Sequence, residues 1–197
     1  APRRAAALAT SSLPDMAWRL WSPAYAEHVT SLANSCDIVQ AEGIEIARYL
    51  SQVEPEKRVY DAHNAEFLLQ RRASEEGGSR LARAYSRVQW RRLARFESAV
   101  IRTARLTLAV SEHDANQLRA LAPCARVSVV RNGINLNAFP LQQRRPVARP
   151  TLVFLGKMDY RPNVEAVRWL LGSMLPRVFE RLPDAQLFVV GANPPKW

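Results

Sequence analysis

Apolar positions recur along the chain in two alternating rhythms. Short β-branched runs at 36–41 (CDIVQA), 58–62 (RVYDA), 106–110 (LTLAV), 126–130 (RVSVV), 151–155 (TLVFL) and 186–190 (QLFVV) predict strands. Most are nearly continuous in apolar residues, the pattern of parallel strands buried on both faces. Between them, helical spacing predicts helices near 23–34, 43–53, 64–76, 79–104, 111–121 and 163–181. Strand–helix–strand alternation of this kind predicts an α/β fold with parallel sheets.

The longest helix follows Gly77-Gly78, with Ser79 as a fitting N-cap. Leu81, Tyr85, Val88, Phe96 and Val100 share one predicted apolar face. Arg83, Arg87, Arg91 and Arg95, each four residues apart, form a ridge on the opposite side. Such a ridge reads either as a solvated face or as a patch for an anionic membrane surface or a phosphorylated lipid acceptor. Further on, residues 138–150 (AFPLQQRRPVARP) hold three prolines and three arginines without a period. They read as a hinge linker between domains at 1–137 and 151–197, the second being little more than β-α-β.

The overall composition narrows the choices. With 48% hydrophobic and 23% charged residues in a chain of 197, a disordered tail, a collagen repeat and a disulfide mini-protein are excluded. No apolar run approaches the ~20 residues that span a bilayer. Cys36 and Cys124 stand far apart in no CxxC spacing, so neither a disulfide framework nor a zinc cluster is indicated and a reducing cytoplasm is the simpler setting. The net charge of +10 comes from 25 arginines and only three lysines. Residues 71–105 alone carry ten arginines against Glu75, Glu76 and Glu97. A basic nucleic-acid-binding protein is therefore one alternative reading, although no helix-turn-helix, zinc-finger or RNP pattern is present. A non-catalytic, sheet-forming subunit is another.

Candidate chemistry belongs in the loops after the strands, because open parallel sheets bind ligands beyond the carboxyl ends of their strands. At the end of 58–62 stands Asp61, and His63, Asn64 and Glu66 follow it. His63 could orient or deprotonate an acceptor hydroxyl with support from Glu66 or Asp61; equally, Asn64 could simply cap the next helix with Glu66 in its first turn. After 106–110, Ser111 and Asp114 make an approximate capping box, and GxSxG is absent. After 126–130, Asn132-Gly133 is a turn signal, with the glycine tolerating positive φ. After 151–155, Gly156, Lys157, Arg161 and Asn163 lie in a strand–glycine–loop–helix connection that could receive a phosphate, or could be an ordinary connection. It is neither a Walker A loop nor GxGxxG.

Taken in order, DIVQAEGIEIARYL, YDAHNAEFLLQRR, LTLAVSEHD, VSVVRNGIN and LVFLGKMDYRPNVEAVRWLLGSMLPRV resemble a family 4 glycosyltransferase over about residues 23–193. The resemblance implies a GT-B architecture, two Rossmann-like lobes facing across a cleft, here both incomplete. It implies transfer of a sugar from a nucleotide-diphosphate sugar to a glycan or lipid-linked acceptor hydroxyl with retained configuration, in bacterial polysaccharide or envelope glycan synthesis. The donor is a substrate; no cofactor and no obligatory metal are implied. His63 and Glu66 become the acceptor-side catalytic candidates, with Asp61 and Asn64 beside them. Gly156, Lys157, Arg161 and Asn163 become the diphosphate loop. The family's later pair of glutamates and its early glycine-rich loop have no counterparts here. The chain accordingly reads as a piece truncated at both ends, inactive alone, from a cytoplasmic enzyme that could sit at the inner membrane face.

Overall fold

The computed structural model describes residues 11–76, 79–141 and 148–194. The chain divides into two compact units, Ala1–Ile134 and Asn135–Trp197. The division falls just ahead of the proline-containing stretch, of which 142–147 lie outside the described residues.

In the first unit the order is α1 (Asp15–Arg19), α2 (Pro23–Ala33), β1 (Val39–Glu42), β2 (Arg58–Ala62), α3 (Glu66–Glu76), α4 (Arg80–Thr103), β3 (Leu106–Ala109), α5 (Glu112–Leu121) and β4 (Val127–Val129). All four strands are parallel, in the order β1-β2-β3-β4. Each strand therefore reaches the next through a crossover, and the carboxyl ends of all four share one edge. Ser79 caps α4 as the sequence suggests, its hydroxyl accepting from the Ala82 N–H at 3.3 Å.

Three expectations change. The sheet is not buried evenly on both faces. The pairing lines up Ala41, Tyr60, Thr107 and Val127 across the strands, with Ala62, Ala109 and Val129 in the next row. These rows meet the helices, whereas Glu42, Asp61, Leu108 and Ser128, on the other face, are half-buried or exposed. Second, residues 43–53 do not form an α-helix. Gly43 turns the chain at φ +86° and only a 3-10 segment, Ala47–Gln52, follows.

Third, the core face of α4 keeps Val100 and Phe96 of the predicted one but turns away from Leu81 and Val88. It buries Gln89, Leu93, Glu97, Val100 and Ile101, while Leu81 is 83% and Val88 39% exposed. Polar contacts rotate it: Gln89 Oε1 accepts from the Asp15 N–H at 2.8 Å, and Glu97 accepts from the Tyr60 hydroxyl and the Phe67 N–H, each at 3.1 Å. A hydropathy pattern assigns such residues to solvent, whereas here they are satisfied inside.

An aromatic group holds the amino-terminal helices. Trp21 stacks on Tyr49 with centroids 4.9 Å apart and Arg48 lies 3.9 Å over the Trp21 ring. The Tyr49 hydroxyl donates to the Leu20 carbonyl and accepts from the Ser22 N–H, both at 2.7 Å.

In the second unit, β5 (Thr151–Leu155) pairs in parallel with β6 (Gln186–Val190). The crossover contains α6 (Arg161–Trp169), a π-helical turn at Leu170–Met174, and α7 (Leu175–Arg181). The predicted continuous helix at 163–181 thus starts earlier and is widened in the middle. Pro176 is the local cause, since it offers no N–H to the carbonyl four residues back. Met158, Val167, Leu175 and Ala185 are buried, whereas Val153, Leu155, Phe188 and Val190 are exposed.

One core position carries an isolated polar atom. Thr107 is fully buried and its hydroxyl has no hydrogen-bond partner among the described residues. Thr107→Val retains the shape and removes the unpaired hydroxyl, so the first unit should gain about 1 kcal/mol of stability. Urea unfolding checks this; an unchanged or lower midpoint would contradict it.

Candidate functional site

The parallel strands of the first unit bring three loops to one edge. In the loop after β1, the Gly43 N–H donates to the Asp61 carbonyl at 2.9 Å. A Cβ on Gly43 would stand 3.2 Å from Glu45 Oε2 and 4.0 Å from His63 Cδ2, so those side chains flank the turn. Glycine is required there for its φ.

The loop after β2 exposes His63 and Asn64 and leaves Glu66 half-buried. Burial pushes the Glu66 carboxyl above its ordinary range, and the negative charge of Glu45 adds to this. A hydrogen bond from Asn64 and the nearby His63 act in the opposite sense. Asn64 thus serves Glu66 directly. Asp61 is engaged elsewhere: its Oδ2 accepts from the Gln40 amide at 3.1 Å, on the sheet face away from the helices.

In the loop after β3, Ser111 caps α5 by accepting from the Asp114 N–H at 3.1 Å, and its hydroxyl in turn hydrogen-bonds the Asp114 carboxylate. Asp114 does more than complete this cap. Its Oδ1 accepts from the Ala65 N–H at 3.2 Å and ties the third loop to the second.

Sequence reasoning singled out His63, Asn64 and Glu66, read Asp114 only as part of a cap, and missed Glu45 and Glu97 beside them. Glu45 follows a strand and was open to the same search. Glu97 carries no such signal, standing in an arginine-rich helix. Chemically the edge offers an exposed imidazole beside a half-buried carboxyl with raised proton affinity, a pair suited to accepting a proton from a bound hydroxyl.

The Asn132-Gly133 segment makes no tight turn and Gly133 does not take positive φ. The bend comes later, where Asn135 Oδ1 accepts from the Asn137 and Ala138 N–H groups at 3.0 and 3.3 Å.

The second unit supplies the glycine loop after β5. The Gly156 N–H donates to the Val190 carbonyl at 3.0 Å and the Met158 N–H to that of Ala192 at 2.9 Å. Asn163, at the start of α6, donates its side-chain amide to the Lys157 carbonyl at 2.9 Å. A Cβ on Gly156 would lie 2.8 Å from that amide nitrogen, and one on Gly191 would overlap the Gly156 carbonyl. Both glycines are needed for close approach. Of the first residues of α6, Pro162 has no N–H, and those of Asn163 and Val164 point to the Tyr160 carbonyl. Arg161 opens the helix, and its side chain lies outside the described ones.

Lys157 is exposed and pairs with Asp159 at 3.3 Å. Asp159 also accepts from the Asn193 amide at 2.9 Å, and together Asn193 and Lys157 hold its carboxyl below the usual range.

On α4, Arg83, Arg87, Arg91 and Arg95 are all exposed, as the spacing predicts. Cys36 and Cys124 are free and exposed. Among the described residues no three His, Cys, Asp or Glu side chains are grouped as metal ligands, and no helix is long and apolar enough to cross a membrane. No protein-family model matches the chain, and neither does any curated protein sequence.

The buried acid beneath the first site has a measurable signature. Burial raises Glu97 from 4.5 to about 7 despite the hydrogen bonds from Phe67 and Tyr60. As pH rises from 4.5 to 7 the unfolded chain releases this proton while the folded chain keeps it, so stability falls across that window by about 3 kcal/mol. Below and above the window the contribution is constant. Glu97→Gln should flatten this decline in urea unfolding at pH 5, 6, 7 and 8, and a parallel decline in both proteins would rule out Glu97 as its source.

Proposed function

We propose that the chain is part of a retaining glycosyltransferase of the family 4 type, its two units corresponding to the acceptor and donor lobes of a GT-B enzyme. It transfers a sugar from a nucleotide-diphosphate sugar to an acceptor hydroxyl in bacterial polysaccharide or envelope glycan synthesis, on the cytoplasmic side. The observation that carries this reading is the convergence of three loops at the carboxyl edge of the parallel sheet, where His63 and Glu66 stand together beside Gly43 and Glu45. His63 and Glu66 receive the acceptor hydroxyl, with Asn64 steadying Glu66 and Asp61 supporting the strand end beside them.

In the second unit, Gly156, Lys157, Arg161 and Asn163 form the diphosphate loop. Asn163 shapes it through the Lys157 carbonyl, and Lys157 exchanges Asp159 for the diphosphate. Positioning and stabilisation of the departing diphosphate are the terms such a site supplies. No resident metal or cofactor is called for.

The exposed ridge of Arg83, Arg87, Arg91 and Arg95, with Leu81 and Val88 exposed on the same helix, supports docking to an anionic membrane surface that carries a lipid-linked acceptor. The same ridge is the one observation favouring the second reading, a basic nucleic-acid-binding protein.

A titration of the chain with millimolar nucleotide-diphosphate sugars should shift the amide resonances of 156–163, and Lys157→Ala should weaken binding roughly tenfold. Silence of those resonances with every nucleotide sugar tried would remove the donor-loop assignment. In a second experiment the chain should bind anionic vesicles at low salt and release them as salt rises. Indifference to vesicles together with steeply salt-dependent binding of random duplex would favour the nucleic-acid reading.

A further inference from the structure

The backbone around Glu66 is held from two directions by carboxylates remote in sequence. On one side the Ala65 N–H donates to Asp114 Oδ1 from α5, 49 residues away. On the other the Phe67 N–H donates to Glu97 Oε2 from α4, 30 residues away. Phe67 lies in the first turn of α3, where N–H groups have no intrahelical partner. Glu97 is thus a cap for α3 supplied from another helix, and its negative charge, once it ionises, is suited to a helix amino terminus. Its second oxygen accepts from the Tyr60 hydroxyl of β2 at 3.1 Å. One fully buried carboxyl therefore ties the strand before the loop to the helix after it, with His63, Asn64 and Glu66 in between.

A solvated helix face has no need of this arrangement. α4 already buries Leu93, Val100 and Ile101, and an apolar residue at 97 would avoid the cost of desolvating a carboxyl. What the acid adds is a fixed direction for the backbone at both ends of a short loop. We propose that Glu97 and Asp114 are positioning residues of the candidate acceptor site, a pair of carboxylates that clamps the N–H groups on either side of Glu66 and so sets where Glu66 and His63 stand. This rests on the reading of His63 and Glu66 as the acceptor-side pair, and it adds two residues that neither touch substrate nor lie in the loop.

Besides burial, the groups acting on Glu97 are the Phe67 N–H of α3, the Tyr60 hydroxyl of β2, and the charge and backbone of Glu66 in α3. Tyr60 is itself raised well above its ordinary value, chiefly by burial and then by Glu97, so it stays a hydroxyl donor throughout the neutral range. Glu97 is therefore the group that changes charge near neutrality, and ionisation strengthens its bond to the Phe67 N–H.

The test follows the ligand-free chain by NMR. In wild type the Phe67 amide resonance should titrate with a midpoint near pH 7. Glu97→Gln should abolish that titration yet keep Phe67 protected and the His63 and Glu66 side-chain resonances in place, its amide nitrogen donating to the Tyr60 oxygen. Glu97→Leu, which fills the space without an acceptor, should speed hydrogen exchange at Phe67 about tenfold and displace the side-chain resonances of both His63 and Glu66. Asp114→Asn should loosen Ala65 in the same way. A folded Glu97→Leu protein with wild-type Phe67 exchange and unmoved His63 and Glu66 side-chain resonances would overturn the proposal. Should that variant fail to fold, a wild-type Phe67 amide that exchanges as freely as a solvent-exposed one would overturn it equally. No ligand enters these measurements, so their failure is distinct from failure of the nucleotide-sugar titration.

Discussion

A carboxyl group without access to water lies where β2, α3 and α4 meet, and the arrangement of the first unit follows from satisfying it. Glu97 can remain buried only with donors at both oxygens, and those donors are the Tyr60 hydroxyl and the Phe67 N–H. Meeting that condition sets the rotation of α4 about its axis, the point at which α3 begins, and the span of the loop between β2 and α3. It also turns Leu81 and Val88 outward and leaves the arginines at 83, 87, 91 and 95 in water.

Parallel pairing supplies the second constraint. Because β1, β2, β3 and β4 run the same way in consecutive order, every crossover returns along the helical layer and every loop after a strand emerges at one edge. Residues separated by tens of positions, Gly43, His63, Glu66 and Asp114, are neighbours for that reason. The second unit obeys the same rule with two strands. There the glycine loop is shaped by its own contacts, Asn163 on the Lys157 carbonyl and Gly191 against Gly156, and its cation is balanced by Asp159. Such a loop is preformed, and an anion arriving there competes with one carboxylate.

The two loops also differ in how they are supported. Around Glu66 the donors are backbone N–H groups and the acceptors are acids from other helices, a tertiary construction. Around Gly156 nearly every bond is local or passes to the adjacent strand end. The first loop is therefore sensitive to changes far away in sequence, such as position 97, whereas the second depends on the glycines and the asparagine within and beside it.

Read from the chain alone, the β-branched runs place six parallel strands to within a few residues, and their apolar spacing marks the helices around them. Ser79 and Ser111 are legible as caps because a cap is a contact between near neighbours. His63 and Glu66 are legible because chemistry in parallel sheets collects after strands. Other features required the tertiary structure. The pattern alone could not show that Glu97 and Gln89 face inward, since a polar side chain is assigned to solvent until its partner is known, and those partners lie 30 to 74 residues away. Nor could it show that 43–53 is a turn and a 3-10 segment, which depends on the Gly43 N–H reaching the Asp61 carbonyl of the next strand. Local propensity and periodicity are properties of neighbouring residues and are written in the sequence. The pairing of buried polar groups is a property of elements once packed, and the packed structure alone decides it.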